Sequence, residues 1–360
     1  MTRWPILAAV LATWACSSDS SKKGSADTSH AAAATSTTSG ADLTGAGATF
    51  PKPIYDKWFH DYAAKTGVKI NYQANGSGAG IRQLSDETVD FGASDAPMSD
   101  SEMAKAKGGP IMHIPTVIGV VAISYNLPGV RQPLKLTGGL IADIFLGKIT
   151  KWNDQRIAAV NQGVTLPASD ILVVHRSEGS GTTYIFSDYL SAVSPAWKSG
   201  PGKGKELQWP VGLGGQGNPG VAGQVKQTPG AIGYVELAYV KQNNLSAALL
   251  QNAAGQFVAP SAASATAAAE AAKLPPNTDY RVSIVNAPGA AAYPIASFTY
   301  LLVYKNQPDA TKAKKLTDFI RWALADGEKD ASALDYAPLP GVLVSRLMTR
   351  LDSIAPGPAR

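Results

Sequence analysis

His175-Arg176-Ser177-Glu178-Gly179-Ser180-Gly181-Thr182-Thr183-Tyr184 lies between two apolar runs. Ile171-Leu172-Val173-Val174 precedes it, and Tyr184-Ile185-Phe186-Ser187-Asp188-Tyr189-Leu190 carries it on at roughly helical spacing. The first run reads as a buried strand and the second as a helix, so the stretch is a strand, a Gly/Ser/Thr loop and a helix start. A helix start leaves backbone N–H groups without intrahelical partners, and the macrodipole adds partial positive charge there. Glycines let the backbone approach a ligand, Ser180, Thr182 and Thr183 add hydroxyls, and Arg176 adds a fixed, forked cation. Together these groups suit a tetrahedral oxyanion. They suit an N-cap loop beside a surface arginine equally well, and the stretch alone does not choose.

The same order recurs along the chain. Residues 43–50 are a short strand ending in a Gly-rich turn, after which Pro51 and Pro53 open a helix with Ile54, Trp58 and Tyr62 on one face. Residues 69–73 are a second strand, followed by the turn Asn75-Gly76-Ser77-Gly78-Ala79-Gly80 and a helix beginning at Ile81. Residues 89–97 are a third strand with a polar end. Thr49, Ser77 and Asp95 thus stand at carboxyl ends of strands, where open α/β sheets hold ligands. Residues 114–125 form a long buried strand, and 140–147 and 152–160 hold short helices. Residues 212–218 are a Gly-rich loop before a helix at 221–226, and 231–235 a strand. The alanine-rich run 262–272 reads as a solvent-facing helix. Residues 298–304 are a buried strand, and 312–325 a helix with Leu316, Phe319, Ile320 and Leu324 inward. Ala337-Pro338-Leu339-Pro340 precedes a last short helix.

A chain of 360 residues exceeds one ordinary core, so two domains are expected. Hydrophobic residues at 45% and charged residues at 16% fit a soluble globular protein, and 35 glycines and 24 prolines fit many turns. The net charge of +5 is spread out, with no Lys/Arg run dense enough to track a nucleic acid, though a mildly basic surface attracts anions or an acidic membrane. No transmembrane span and no internal repeat is read. The single cysteine, Cys16, excludes an intramolecular disulfide and a cysteine-rich metal site. Arg3 and the apolar residues 4–15, too few to span a bilayer, precede an Ala15-Cys16 junction of lipoprotein type. Thr13 and Trp14 depart from the usual junction, so an ordinary signal peptide cut nearby is the alternative. Residues 1–16 are therefore expected to be a signal peptide ending at a lipidated Cys16. Residues 17–41 lack large apolar side chains and read as a flexible tether. The protein is expected to be exported, in the periplasm or on the outer face of the cell membrane, and lipid-anchored.

Enzyme chemistry is poorly supported. His60, His113 and His175 are the candidate bases of the body, and the Arg176 charge disfavours protonation of His175. Neither Gly76-Ser77-Gly78 nor Gly179-Ser180-Gly181 has the five-residue nucleophile elbow. Gly147-Lys148-Ile149 fails as a P-loop, because Ala142 replaces the first glycine and Ile149 the Ser or Thr. No cluster has metal-ligand spacing. What remains is a set of hydroxyls at helix starts, one cation in Arg176 and one acid in Asp95. An acid beside an anion makes sense if the anion carries a proton that the carboxylate accepts. Sulfate carries none near neutral pH, and an unpaired buried acceptor costs about 1–3 kcal/mol. Asp95 alone reads equally as a cap over Met98-Ser99 or a partner for an arginine.

Three blocks resemble the periplasmic phosphate-binding proteins of the ABC-type phosphate importer. They are Leu43-Thr44-Gly45-Ala46-Gly47-Ala48-Thr49-Phe50-Pro51, Asp90-Phe91-Gly92-Ala93-Ser94-Asp95-Ala96-Pro97 and Arg176-Ser177-Glu178-Gly179-Ser180-Gly181-Thr182. Gly212-Leu213-Gly214-Gly215, residues 229–236 and residues 334–340 agree, and the likeness runs in order from about residue 42 to 348. It implies a two-lobed α/β periplasmic-binding-protein fold with two crossover hinge strands and a central ligand cleft. Residues 42–124 with 299–350 would form one lobe, 125–298 the other, and 351–360 a C-terminal tail. It also implies that Thr49 offers a backbone N–H and a hydroxyl, Phe50 a backbone N–H, and Ser77 a hydroxyl. Asp95 would accept the phosphate proton, Arg176 would pair with phosphate and with Asp95, and Ser180, Gly181 and Thr182 would supply helix-start donors. Residues 75–80 are more glycine-rich than the family pattern, and Glu178 brings a second negative charge to the site. The implied function is a monomeric, non-enzymatic receptor without cofactor or metal. It captures inorganic phosphate and docks on the membrane permease subunits of the importer. Nucleic acid is not a partner, and the membrane is met only through the lipid anchor. The rival readings are a phosphoester-hydrolysing enzyme, a binder of sulfate or molybdate, and an adhesion or sensory protein that kept the fold.

Overall fold

The three N-terminal strands form one parallel set. β1 (Leu43–Gly47) pairs on one side with β2 (Ile70–Gln73) and on the other with β3 (Phe91–Ser94), with Gly45 opposite both Tyr72 and Phe91. The computed structural model describes residues 42–272 and 279–356. The expected signal peptide, Cys16, the tether to residue 41 and the last four residues lie outside the described residues.

Helices α1 (Lys52–Thr66), α2 (Ser77–Ser85) and α3 (Asp100–Ala104) follow these strands. Next comes β4 (Ile111–Tyr125), whose fifteen residues are all buried, as a continuous apolar run covered on both faces requires. The middle of the chain holds β5 (Lys135–Leu136), α4 (Gly138–Phe145), α5 (Gln155–Val160), β6 (Leu172–Arg176), α6 (Gly181–Val193) and α7 (Pro195–Ser199). It continues with β7 (Leu213–Gly215), α8 (Gly217–Gln227), β8 (Ala231–Glu236), α9 (Leu237–Asn243), β9 (Ser246–Ala247), β10 (Leu249–Gln251), β11 (Phe257–Val258) and α10 (Ala262–Ala271). The last elements are β12 (Ala296–Tyr304), β13 (Asn306–Gln307), α11 (Ala310–Ala325), α12 (Gly341–Leu351) and β14 (Ala355–Pro356).

The main sheet runs β2-β1-β3-β12-β4-β8-β6-β7, with β9 beside the end of β4. β4 joins its two halves. Residues 111–120 pair antiparallel with β12, and residues 121–125 pair antiparallel with β8. The β4–β12 register shifts between Thr299 and Tyr300, opposite Val117 and Pro115. A proline cannot donate to the ladder, and a bulge there accommodates it. The Thr299 hydroxyl beside this irregularity reaches Asp95 at the end of β3.

Two helices start earlier than the sequence suggests. α2 begins at Ser77 rather than Ile81. The glycines that read as a turn lie inside the helix because they pass close to backbone: a Cβ on Gly80 would sit 2.5 Å from both Ala46 O and Gly47 Cα. α8 likewise begins at Gly217 rather than near Val221. A third difference concerns α10, which is not solvent-facing. Ser264, Ala265, Ala268 and Ala269 are buried against β4 and β12, because small side chains let a helix pack closely on a strand. α11 buries Leu316, Phe319, Ile320 and Leu324 as read, and Asp309 caps it by accepting from Thr311 N and Lys312 N. Among the described residues, no helix is long and apolar enough to cross a membrane.

Candidate anion site

Four helix starts converge at the carboxyl ends of the strands. The start of α6 follows β6 through the loop of residues 177–180. Ser180 is its N-cap, in extended backbone, with its hydroxyl accepting from Thr183 N at 3.0 Å. The Gly181 N–H donates to Ser77 Oγ at 3.0 Å, which joins the first residues of α6 and α2. A Cβ on Gly181 would lie 2.5 Å from both Asp95 Oδ2 and Ser77 Oγ, so only glycine permits this approach. Gly78 N donates to Gly179 O at 2.9 Å and strengthens the same junction.

Thr49 precedes α1 and meets the first turn of α8. Its Oγ1 accepts from Asn218 N and Asn218 Nδ2, each at 3.0 Å. Two buried phenols hold the carbonyls of this turn. Tyr239 OH donates to Thr49 O at 2.5 Å and Tyr336 OH to Phe50 O at 2.6 Å. Carbonyls tied from behind fix the planes of their peptide groups. Among the described residues, the N–H groups of Thr49, Phe50 and Thr182 have no protein acceptor, although the three residues are buried. The Ser180 N–H is taken by Lys205 O.

Arg176, at the end of β6, is buried and does not pair with Asp95 as the resemblance implied. It forms an ion pair with Glu178 through Nε and Nη2, and its Nη1 donates to Thr182 Oγ1 at 3.1 Å. The bend after β6 brings Glu178, two residues on, beside the guanidinium, which takes this carboxylate as its partner. Glu178 turns inward, where its Oε1 also accepts from Gly217 N, while its Oε2 is buried without a hydrogen bond among the described residues.

Asp95 is buried, and desolvation pushes its carboxyl up to about 7. The Thr299 hydroxyl, donating to Oδ1 at 2.8 Å, the Arg176 charge and the Ser77 hydroxyl pull the other way. The two carboxylates offset the one guanidinium, so the site carries no excess positive charge. Its attraction for an anion rests on aligned N–H groups, hydroxyls and helix dipoles.

The structure brings Thr49, Phe50, Ser77, Asp95, Arg176, Ser180, Gly181 and Thr182 to one buried region. His113 is structural: its Nε2 accepts from Met98 N and its Nδ1 bonds Asp279. His175 stacks on Trp209 at 4.6 Å. Sequence reasoning missed Asn218, Thr299, Tyr239 and Tyr336. Asn218 stands in a Gly-rich run that reads as a loop, and no local pattern singles out the two tyrosines. A cleft of about 1210 Å³ is lined by Arg176 and Glu178 together with His175, Lys205, Glu206 and Trp209.

Residues 32–327 match the model of a family described as the PBP superfamily domain. The chain is 49% identical over 306 residues to the phosphate-binding protein PstS of Xylella fastidiosa, covering 85% of this chain and 83% of that protein. The chain belongs to the PstS family. It is also 40% identical over 316 residues to the phosphate-binding protein PstS of Methanocaldococcus jannaschii, covering 82% of this chain and 81% of that protein. Among solved structures, the phosphate binding protein of Stenotrophomonas maltophilia superposes with a TM-score of 0.68 at 22% identity, covering 87% of this chain and 94% of that one. That likeness shows the two-lobed periplasmic-binding-protein fold.

Proposed function

We propose that this PstS-family chain is an exported solute-binding protein that captures inorganic phosphate between two lobes and delivers it to the membrane permease subunits of an ABC-type importer. The observation that carries the reading is the Asp95 carboxyl set among the donors of four helix starts, the site's other carboxylate, Glu178, being held by Arg176 and Gly217 N. A phosphate that keeps one proton matches both kinds of group, whereas sulfate leaves Asp95 facing an oxygen without a hydrogen between them. The proposed ligands are the Thr49 N–H and hydroxyl, the Phe50 N–H, the Ser77 hydroxyl, Asp95, Arg176, the Ser180 hydroxyl, and the Thr182 N–H and hydroxyl, with the Gly181 N–H joining them only by exchanging its bond to Ser77 Oγ for one to the ligand. Residues 42–124 with 299–350 are the proposed first lobe and 125–298 the second, with β4 and β12 crossing between them. The work is binding and closure, with no bond made or broken. Closure excludes water, which strengthens each charge-assisted hydrogen bond. Residues 1–16 are the proposed signal peptide, with a lipid on Cys16 holding a monomer at the membrane.

Calorimetric titration of the purified chain, stripped of bound anion, tests the reading. At pH 9, where Asp95 is ionised, one phosphate binds per chain, sulfate binds far more weakly, and Asp95→Asn narrows the gap between the two anions by at least about tenfold, as expected for one hydrogen bond to a charged group. Equal response of the unaltered chain to both anions, or heat with neither, overturns it.

A further inference from the structure

Asn218 is buried in the first turn of α8 and uses every hydrogen-bonding group it has. Its Oδ1 accepts from Glu236 N at 2.9 Å. A backbone N–H can face only the oxygen of an amide, so this bond fixes which way the side chain points. The Nδ2 group is thereby turned to the site, where it donates to Thr49 Oγ1 at 3.0 Å and to Thr182 Oγ1 at 3.1 Å. Each of these hydroxyls receives a second hydrogen. Thr49 Oγ1 takes the Asn218 N–H at 3.0 Å, and Thr182 Oγ1 takes Arg176 Nη1 at 3.1 Å.

A hydroxyl has two acceptor positions and one proton. On both threonines the two acceptor positions are filled, so the proton has only a donor's role left. We propose that Asn218 is a specificity-determining positioning residue: by filling the acceptor positions of Thr49 and Thr182 it obliges both hydroxyls to donate, and so reserves that side of the site for ligand oxygens without protons. The inference rests on the phosphate reading and deepens it. One ligand oxygen, the one facing Asp95, must carry the proton, and those facing Thr49 and Thr182 must not. The single asparagine also ties the turn before α1 to the start of α6, so the donors are set only when these elements are together.

The competing account makes Asn218 a brace between α8 and β8 with no say over the hydroxyls. Titration of the full chain with inorganic phosphate, alongside thermal melts, separates the two. Asn218→Asp keeps the shape and the acceptor for Glu236 N but replaces the amide donor by a second acceptor. Thr49 and Thr182 then turn their protons to the new carboxylate, and phosphate affinity falls by about a hundredfold or more, since two hydrogen bonds worth about tenfold each are withdrawn. Asn218→Ala costs about tenfold in the unaltered chain. In a Thr49→Val/Thr182→Val background, where no hydroxyl is left to orient, it costs less than about twofold, a non-additivity that marks action through those groups. Equal losses in both backgrounds overturn the proposal in favour of the brace. Thr49→Val and Thr182→Val keep the test alive if the Asn218 variants do not fold. Each should weaken phosphate about tenfold while Thr→Ser at the same position restores it, and unchanged affinity refutes obligate donation. An unaltered chain that does not bind phosphate removes both the inference and the reading beneath it. Tight binding that survives Asn218→Asp removes the inference alone.

Discussion

Asp95 carries the discrimination between anions, and its burial makes that discrimination depend on pH. Desolvation raises its carboxyl to about 7. Ionised, it only accepts, so it suits a protonated oxygen and repels a bare one. Protonated, it can donate, and a sulfate oxygen then finds a partner. If sulfate binds only the protonated form, its affinity should be flat below about pH 7 and fall roughly tenfold per pH unit above it. Titrations with sulfate from pH 6 to 9 check this, and a pH-independent sulfate affinity would remove Asp95 as the discriminating group. The residues around Asp95 were legible to different degrees. Thr49, Ser77 and Asp95 could be placed because strand ends and helix starts are periodic features that a sequence displays. The pairing of Arg176 with Glu178 could not, since it depends on the turn that brings two residues on one loop together. Asn218 was hidden for a similar reason: its chemistry lies in four hydrogen bonds to three distant residues, Thr49, Thr182 and Glu236, all beyond its own helix.

Helix starts, more than individual side chains, build the site, and helices are where the sequence was read most unevenly. α11 was legible because large apolar side chains repeat on one face. The beginnings of α2 and α8 were not, because glycine signals a turn locally while here it permits close backbone contact. α10 was misjudged because alanine favours helix without revealing which face is covered. The buried face of α10 has a measurable consequence. Ala268 is fully buried against the crossing strands, so Ala268→Leu forces methylenes into a filled space and should cost about 1–3 kcal/mol. Ala263, five residues earlier on another face of the same helix, is exposed, and Ala263→Leu should change stability by less than about 0.5 kcal/mol. Denaturant unfolding of the two variants distinguishes a packed helix from a solvated one, and equal effects would contradict the packing seen here.

At the scale of the whole molecule, the two halves of the sheet are held together by contacts that bury carboxyl groups. Gly78 meets Gly179, Ser77 meets Gly181, Thr49 meets Asn218, and Lys205 pairs with Glu102 at 2.7 Å. Beneath these contacts, burial raises Asp95 to about 7 and lifts Glu236, which faces Tyr336, well above the ordinary carboxylate range. Away from the site, burial raises Glu328 to about 8. Each group has a higher pKa folded than unfolded, so between about pH 4 and pH 8 the folded chain holds protons that the unfolded chain has released. Stability therefore falls as pH rises through that window, being fully present below the unfolded values and lost above the folded ones. The carboxylates with lowered values, Asp42, Glu102, Asp154, Asp279, Asp309 and Asp326, act with the opposite sign but only below about pH 4.5. Burial lowers the His175 imidazole below its ordinary value, so this group opposes the trend just below about pH 6.5, one imidazole against three carboxyls. The anion-free chain should thus melt on the order of 5 °C lower at pH 8 than at pH 5. Scanning calorimetry in buffers without phosphate or sulfate measures this, and Glu328→Gln, which removes a titrating group far from the site, should shrink the difference. A melting temperature that is constant or rises from pH 5 to pH 8 would mean that these carboxyls are paired or hydrated in solution, and the case for a dry, closed interior around Asp95 would fall with it.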